Sequence, residues 1–459
     1  MRGILITLYL ILCLTNVRGQ EWDSLSIGVG EAGEYPHYVT SMTVFNNNLV
    51  VAGWFLNVGN IDCKNIAVWD GIKWDTLPGG GPNSDIYSMC TYQNDLYVGG
   101  LFSQVGNVNN TAQIAGHNGT GWFNIGQGGP GAGNNVVYKI LPFKNTLVLG
   151  GNFTQFGGLP FNGIGRMVRW MGSYYDKVSG GITNGMMTSV SSIEEYNGKL
   201  YVGGDFTKAG SISANNIATW DGGQWDSLGS GANGPIYRMF QDTMNNELYI
   251  FGGISKIDGT DVYILSKYDG YQWHYIPPPS TSEGFDIEGF YNGYIVASLD
   301  KLYPGDTTFT LYDGINWIPI LEGPNSSPST ICEYHDTLYV GGSFDSIGTK
   351  PIRGLAKFFI PQNPNSIKPI LERKTRSELF TNVPNPFDEE TSIGYNLPKG
   401  QKGRIKVFNG SGVCVRELNL KSESNKVVFK TEDLENGIYY YSLVVNEMPI
   451  QTKKMIICK

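Results

Sequence analysis

Apolar and polar residues alternate along most of this chain in short runs broken by glycine and asparagine. Seven runs share one pattern: LVVAGWF (49–55), LYVGGLF (96–102), LVLGGNF (147–153), LYVGGDF (200–206), LYIFGGI (248–254), YIVASL (294–299) and LYVGGSF (338–344). Seven residues before the leading position stand Met42, Met89, Ile140, Ile193, Ile287 and Ile331, and Met239 holds that place once an insertion in the fifth copy is allowed. A further apolar segment then runs to a turn and an aromatic residue, as in IAVWDGIKW (66–74), IATWDGGQW (217–225), LSKYDGYQW (265–273) and FTLYDGINW (309–317). The closing aromatics Trp74, Trp122, Tyr175, Trp225, Trp273 and Trp317 are spaced by 48, 53, 50, 48 and 44 residues.

Each unit therefore predicts four short strands: an inner one such as 86–92, the Leu-Tyr-Val-Gly-Gly strand, one ending at Asp-Gly, and one starting at the Trp. Asp-Gly between alternating runs predicts a type I′ hairpin, with positive φ at both turn residues. Four strands per repeat, seven times over, predict an all-β seven-bladed β-propeller spanning residues 20–360. The last copy stops after its third strand (355–359), and an isolated WDSL (22–25) precedes the first. That stray segment is expected to complete the seventh sheet and close the ring without a free edge. The glycine pairs read as packing positions where neighbouring backbones approach closely. Over residues 22–360 the arrangement resembles kelch-type propellers, whose second strand also carries a glycine pair and whose blades carry a later Trp.

Composition narrows the picture. The 61 glycines exclude a helical protein, since each interior glycine costs a helix about 1 kcal/mol relative to alanine. Aromatic residues at 13% against only 16% charged exclude a disordered chain. Residues 20–360 carry a formal charge of −14 with no basic stripe, which argues against nucleic acid and anionic membranes as partners. Residues 1–19, with Arg2 before an apolar run and Val17 and Gly19 near a cut ahead of Gln20, read as a secretory signal peptide. No other run reaches the length of a transmembrane segment. Cys63, Cys90, Cys332, Cys414 and Cys458 do not make a disulfide framework and read as buried free thiols, with a single Cys414–Cys458 bridge as the alternative.

Beyond residue 360 the rhythm changes. Residues 361–378, rich in proline and charge, read as a linker. Residues 379–459 read as a small C-terminal antiparallel β-sandwich. Within it stand Val383-Pro384-Asn385-Pro386-Phe387, Ile393-Gly394-Tyr395, Asn436-Gly437-Ile438-Tyr439 and Lys453-Lys454-Met455-Ile456-Ile457. This segment resembles the type A C-terminal sorting domain of the type IX secretion system of Bacteroidota. The resemblance implies export through the periplasm and a type IX translocon. It also implies removal of the tail by a sortase-like peptidase, and a protein released or attached to the outer-membrane surface. Asn385, Pro386, Phe387, Gly437, Tyr439, Lys453 and Lys454 carry the sorting signal in that reading.

Candidate chemistry is sparse. No HExxH, paired CxxC or Gly-x-Ser-x-Gly motif occurs, so no catalytic residue, metal site or cofactor is expected. The four histidines read as surface or turn residues. A copper radical oxidase of the galactose oxidase kind needs two ligand histidines and two tyrosines, and nothing marks His37 and His335 as such a pair. Glu194-Glu195 reads as exposed rim. Ligand contact is expected where loops joining one sheet to the next converge, and Tyr87, Tyr138, Tyr237 and His37 are the candidate positions. The expected function is a non-enzymatic binding or adhesion module for a glycan or protein; the alternative is a secreted carbohydrate-active or other hydrolytic enzyme with its site at the same mouth.

Overall fold

The computed structural model describes residues 21–25, 28–30, 37–126, 135–153, 155–156, 159–160, 165–183, 189–243, 245–278, 285–291, 293–299, 309–314, 316–320, 323–359, 378–397, 403–410, 412–420, 426–431, 434–445 and 448–459. The signal-peptide reading of residues 1–19 and nearly all of the 361–378 linker lie outside these residues.

The body contains seven four-stranded antiparallel sheets. Their first strands are Tyr38–Phe45, Ile86–Tyr92, Val137–Phe143, Ser189–Tyr196, Ile236–Asp242, Phe285–Tyr291 and Pro328–Tyr334. We number the sheets one to seven in that order. Each first strand lies beside that of the next sheet, and the seventh lies beside the first. The fourth strand of sheet seven is Glu21–Ser24, which pairs antiparallel with Leu355–Phe359. Trp22 drives this pairing: it is buried against Phe358 and Phe309, with ring centroids 4.5 and 5.1 Å away. By buried area, a Trp in such a place contributes roughly 4 to 6 kcal/mol.

In sheets two, three, four and seven both glycines of the pair have identifiable work. A Cβ on the first would strike the first strand of the next sheet: on Gly99 it would lie 2.7 Å from Val137, and on Gly341 2.6 Å from Val39. The second faces its own first strand, where a Cβ on Gly53, Gly100, Gly151 or Gly204 would sit 2.0 Å from a backbone carbonyl. That carbonyl is displaced because the first strand bulges at that point, with register shifts at 39/41, 86/88, 137/139, 190/192, 236/238 and 328/330. Small residues after the bulge join the sheets. Ser41, Ser88 and Ser192 accept the backbone N–H of Met89, Ile140 and Met239 in the next sheet at 2.9–3.1 Å.

The closing Trp residues also clamp adjacent segments. Trp74, Trp122, Trp225 and Trp317 donate Nε1–H to the carbonyls of Leu25, Gly80, Val178 and Pro277 at 2.6–3.1 Å.

The Asp-Gly turns differ from the type I′ expectation. Asp70 does not take positive φ; only Gly71 does, at +100°. The Asp70 carboxylate instead accepts the N–H groups of Ile72 and Lys73, both at 2.8 Å, closing a four-residue loop. Asp221 and Asp269 do the same. Paired positive φ occurs between first and second strands, at Asn46/Asn47, Gln93/Asn94, Lys144/Asn145, Asn197/Gly198 and His335/Asp336. Asparagine tolerates this region because its short amide bonds locally.

The C-terminal segment packs a three-stranded sheet with a four-stranded one around Leu379, Phe387, Ile393, Tyr395, Ile405, Tyr441, Leu443 and Met455. All five described cysteines are free; Cys63 is buried, Cys90 and Cys332 are half-buried, and Cys414 and Cys458 are exposed, so the expectation of buried thiols holds in full only for Cys63.

Candidate functional site

The bulges build the site. An extra residue in an antiparallel strand re-aims its side chain out of the pleat. In six sheets the extra residue is Thr40, Tyr87, Tyr138, Ser191, Tyr237 or Ser329. All six line one cavity of about 560 Å³, to which the first strand of every sheet contributes. Tyr87, Tyr138 and Tyr237, chosen from sequence as mouth positions, are thus brought together. His37 is not: its ring lies against Gly30, where a Cβ would meet it at 2.1 Å, and it does not line the cavity.

Sheet six departs from the pattern, for a reason visible in its sequence. Ser298 and Leu299 replace the glycine pair, so the carbonyl-facing position no longer admits the usual bulge. The register shift moves two residues along, to 287/289, and the extra residue is Glu288. Its carboxylate is fully buried against Arg238, whose Nη1 lies 3.3 Å from Oε2. Ser298, at the lost glycine, donates its hydroxyl to Oε1 at 2.9 Å. Burial raises the Glu288 pKa to about 8, against the pull of Arg238 in the other direction. Arg238 also donates to Asp286 at 3.1 Å and to the Ser329 carbonyl at 3.0 Å.

In the adjoining sheets, Lys139 of sheet three lies within electrostatic reach of Glu194 of sheet four, and both line the cavity. Glu194 is therefore not the exposed rim residue expected from sequence; burial raises its pKa, and Lys139 opposes that shift. Glu195, its neighbour, is exposed. Tyr87 and Tyr138 meet edge to face across sheets two and three, with centroids 5.7 Å apart and planes at 80°. Asp85, buried beneath them, accepts from Tyr38 at 3.2 Å and from Tyr87 at 3.4 Å. Tyr237 remains half exposed.

The histidines take no part. His117, expected at a surface or turn, is buried: its Nε2 lies 3.0 Å from the Pro78 carbonyl and its Nδ1 accepts the Gly119 N–H at 3.0 Å. His335 sits in a positive-φ turn and His274 pairs with Asp269 at 2.8 Å. Among the described residues no group of three or more His, Cys, Asp or Glu gathers as metal ligands would. No helix among them is long and apolar enough to cross a membrane.

In the C-terminal segment, the two ends of the motif meet. Phe387 bridges in parallel to Ile457, and its N–H and C=O bond to Ile456 and Cys458 at 3.1 and 2.8 Å. Asn385 Oδ1 accepts the Ile456 N–H at 2.8 Å. Pro386, between them, is exposed. Tyr439 pairs with Met455 on the adjoining strand and donates its hydroxyl to Glu435 at 3.0 Å, with Gly437 opening that strand. Lys454 is exposed and Lys453 half buried on the last strand, Met448–Ile457.

Residues 383–458 match the secretion system C-terminal sorting domain family. The chain is thus a cargo of the type IX secretion system, exported to the cell surface or beyond. No curated protein matches it. Among solved structures it is similar to a fungal alcohol oxidase of the AA5 family in complex with copper, at 12% identity over 94% of this chain and 100% of that one, with a TM-score of 0.46. It is similar also to the GH74 enzyme of Niastella koreensis, at 11% identity over 95% and 74%, with a TM-score of 0.45. The extracellular domain of a one-component system from B. thetaiotaomicron aligns at 10% identity over 92% and 68%, with a TM-score of 0.31. Likeness at this level says nothing of activity.

Proposed function

We propose that residues 20–360 are a seven-bladed, kelch-like β-propeller that serves as a non-enzymatic binding or adhesion module, displayed or released by the sorting domain behind it. The observation that carries this reading is the single cavity reached by all seven first strands, into which the bulges aim Tyr87, Tyr138 and Tyr237. Tyrosines give large, rigid contact area together with a polar tip, which suits recognition of a glycan or protein. The route in this proposal begins with a signal peptide at residues 1–19. It continues through the type IX translocon and ends with a sortase-like peptidase acting near the 361–378 linker. Asn385, Pro386, Phe387, Gly437, Tyr439, Lys453 and Lys454 carry the sorting signal in this proposal, with Phe387 and Tyr439 holding its core.

One observation favours a second reading. A carboxyl held protonated near neutrality beside a cavity is what a general acid requires, so Glu288 suits a hydrolase acting at the same place. A glycan array probed with the purified chain, paired with a hydrolysis assay on the same glycans, separates the two. Retention without turnover is expected. Turnover that Glu288→Gln abolishes would overturn the binding reading.

A further inference from the structure

The lining of the cavity is specific about its occupant's charge. Its two cations each have a carboxylate of a neighbouring sheet within reach: Arg238 binds Glu288 and also Asp286, and Lys139 lies within electrostatic reach of Glu194. A charged ligand would have to compete with Asp286 for Arg238 or with Glu194 for Lys139, leaving one of these charges uncompensated, which is costly. A purely apolar ligand would strand them all without hydrogen bonds. An uncharged polyol meets both demands, donating to Glu194 and accepting from the guanidinium and ammonium groups. The remaining lining agrees, because the hydroxyls of Thr40, Ser191 and Ser329 join those of the three tyrosines. Tyr87 and Tyr138 form a corner that receives the flat C–H face of a pyranose ring. A volume of about 560 Å³ falls within the range of small-molecule sites.

We propose that the cavity binds an uncharged saccharide, either a short sugar or the end of a neutral glycan. In this proposal one ring face rests on Tyr87 and Tyr138, and the ring hydroxyls bond to Lys139, Glu194 and Arg238. The inference rests on the binding-module reading and names its ligand class.

The test uses the purified full chain on an array of neutral oligosaccharides of glucose, galactose, mannose and xylose. Matched oligosaccharides containing glucuronate or galacturonate stand beside them. The strongest binder is then titrated calorimetrically against the parent chain and against Tyr138→Ala, Tyr138→Phe, Lys139→Met and Tyr271→Ala. Neutral saccharides should bind, and Tyr138→Ala and Lys139→Met should each weaken binding by roughly tenfold or more. Tyr138→Phe, which keeps the ring, should lose less, and Tyr271→Ala, in an exposed turn of sheet five, should lose nothing. Binding confined to acidic sugars, or binding that Tyr138→Ala and Lys139→Met leave unchanged, overturns this proposal while the binding-module reading stands. If no saccharide binds and a protein partner does, the ligand class is overturned. Hydrolysis of the bound sugar overturns the binding-module reading instead.

Discussion

Glu288 offers the sharpest quantitative prediction. Its pKa rises from 4.5 to about 8 in the folded chain. Folding therefore retains a proton that the unfolded chain releases between those values. With a raised folded-state pKa, the protonated carboxyl costs nothing below pH 4.5. Stability then falls by about 1.36 kcal/mol for each pH unit up to about 8. The full span is at most about 5 kcal/mol, the attraction to Arg238 being already contained in the value of about 8. Glu288→Gln removes the titration but keeps an acceptor for Ser298. The variant should be the less stable protein at pH 5, where its amide N–H faces Arg238. Its deficit should shrink steadily and close by pH 8.5. Because Asp85 and Glu194 shift the same way as Glu288, while Asp269 shifts oppositely, the difference between the two proteins is the quantity to read. Urea unfolding followed by tryptophan fluorescence is well suited, since all ten Trp residues lie between positions 22 and 317, in the body and not the tail. Parallel stability curves for the two proteins from pH 5 to 8.5 would refute the reasoning, because Glu288 would then be ionised throughout.

Other expectations follow from the packing. Gly100→Ala places a Cβ 2.0 Å from the Asp85 carbonyl and should cost several kcal/mol, whereas Gly121→Ala, which meets nothing within 4 Å, should change the urea midpoint little. Trp225→Phe removes the bond to the Val178 carbonyl and should cost about 1 kcal/mol beyond the lost ring area, read the same way. Phe387→Ala empties the site that ties residue 387 to the last strand; by analogy with other buried Phe it should cost roughly 3 to 5 kcal/mol, seen as early loss of exchange protection in 448–459. Deleting residues 379–459 should leave the body in the periplasm, and fractionation showing normal secretion of the truncated chain would contradict the sorting assignment.

The repeat was legible because each copy solves the same steric problem with the same residues. Gly-Gly marks where one sheet touches the next and where the strand bulges; the Trp marks the clamp to the preceding segment. Turn chemistry was less so. Asp-Gly is a strong hairpin signal, but in this chain the Asp side chain replaces a backbone partner, and the positive-φ pairs fall on Asn-Asn, Gln-Asn, Lys-Asn and His-Asp. Two site residues escaped sequence reading. Glu194 looks like one of an exposed pair, because strand alternation does not say which side of a first strand faces a shared axis. Glu288 was signalled only negatively, by the missing glycine pair in YIVASL at 294–299. That loss moves the bulge and brings a carboxylate into the cavity. His37, by contrast, was suggested by position in a loop, and a loop's side chains are aimed by contacts no pattern encodes.

The occupant of the shared cavity decides what this protein recognises. A crystal structure of the full chain soaked with its best neutral saccharide tests the saccharide assignment directly. The predicted result is seven four-stranded sheets closed by residues 21–24, with a sugar ring against Tyr87 and Tyr138 and its hydroxyls bonded to Lys139, Glu194 or Arg238. Sugar bound only on an outer face, with the cavity holding solvent alone, would contradict it.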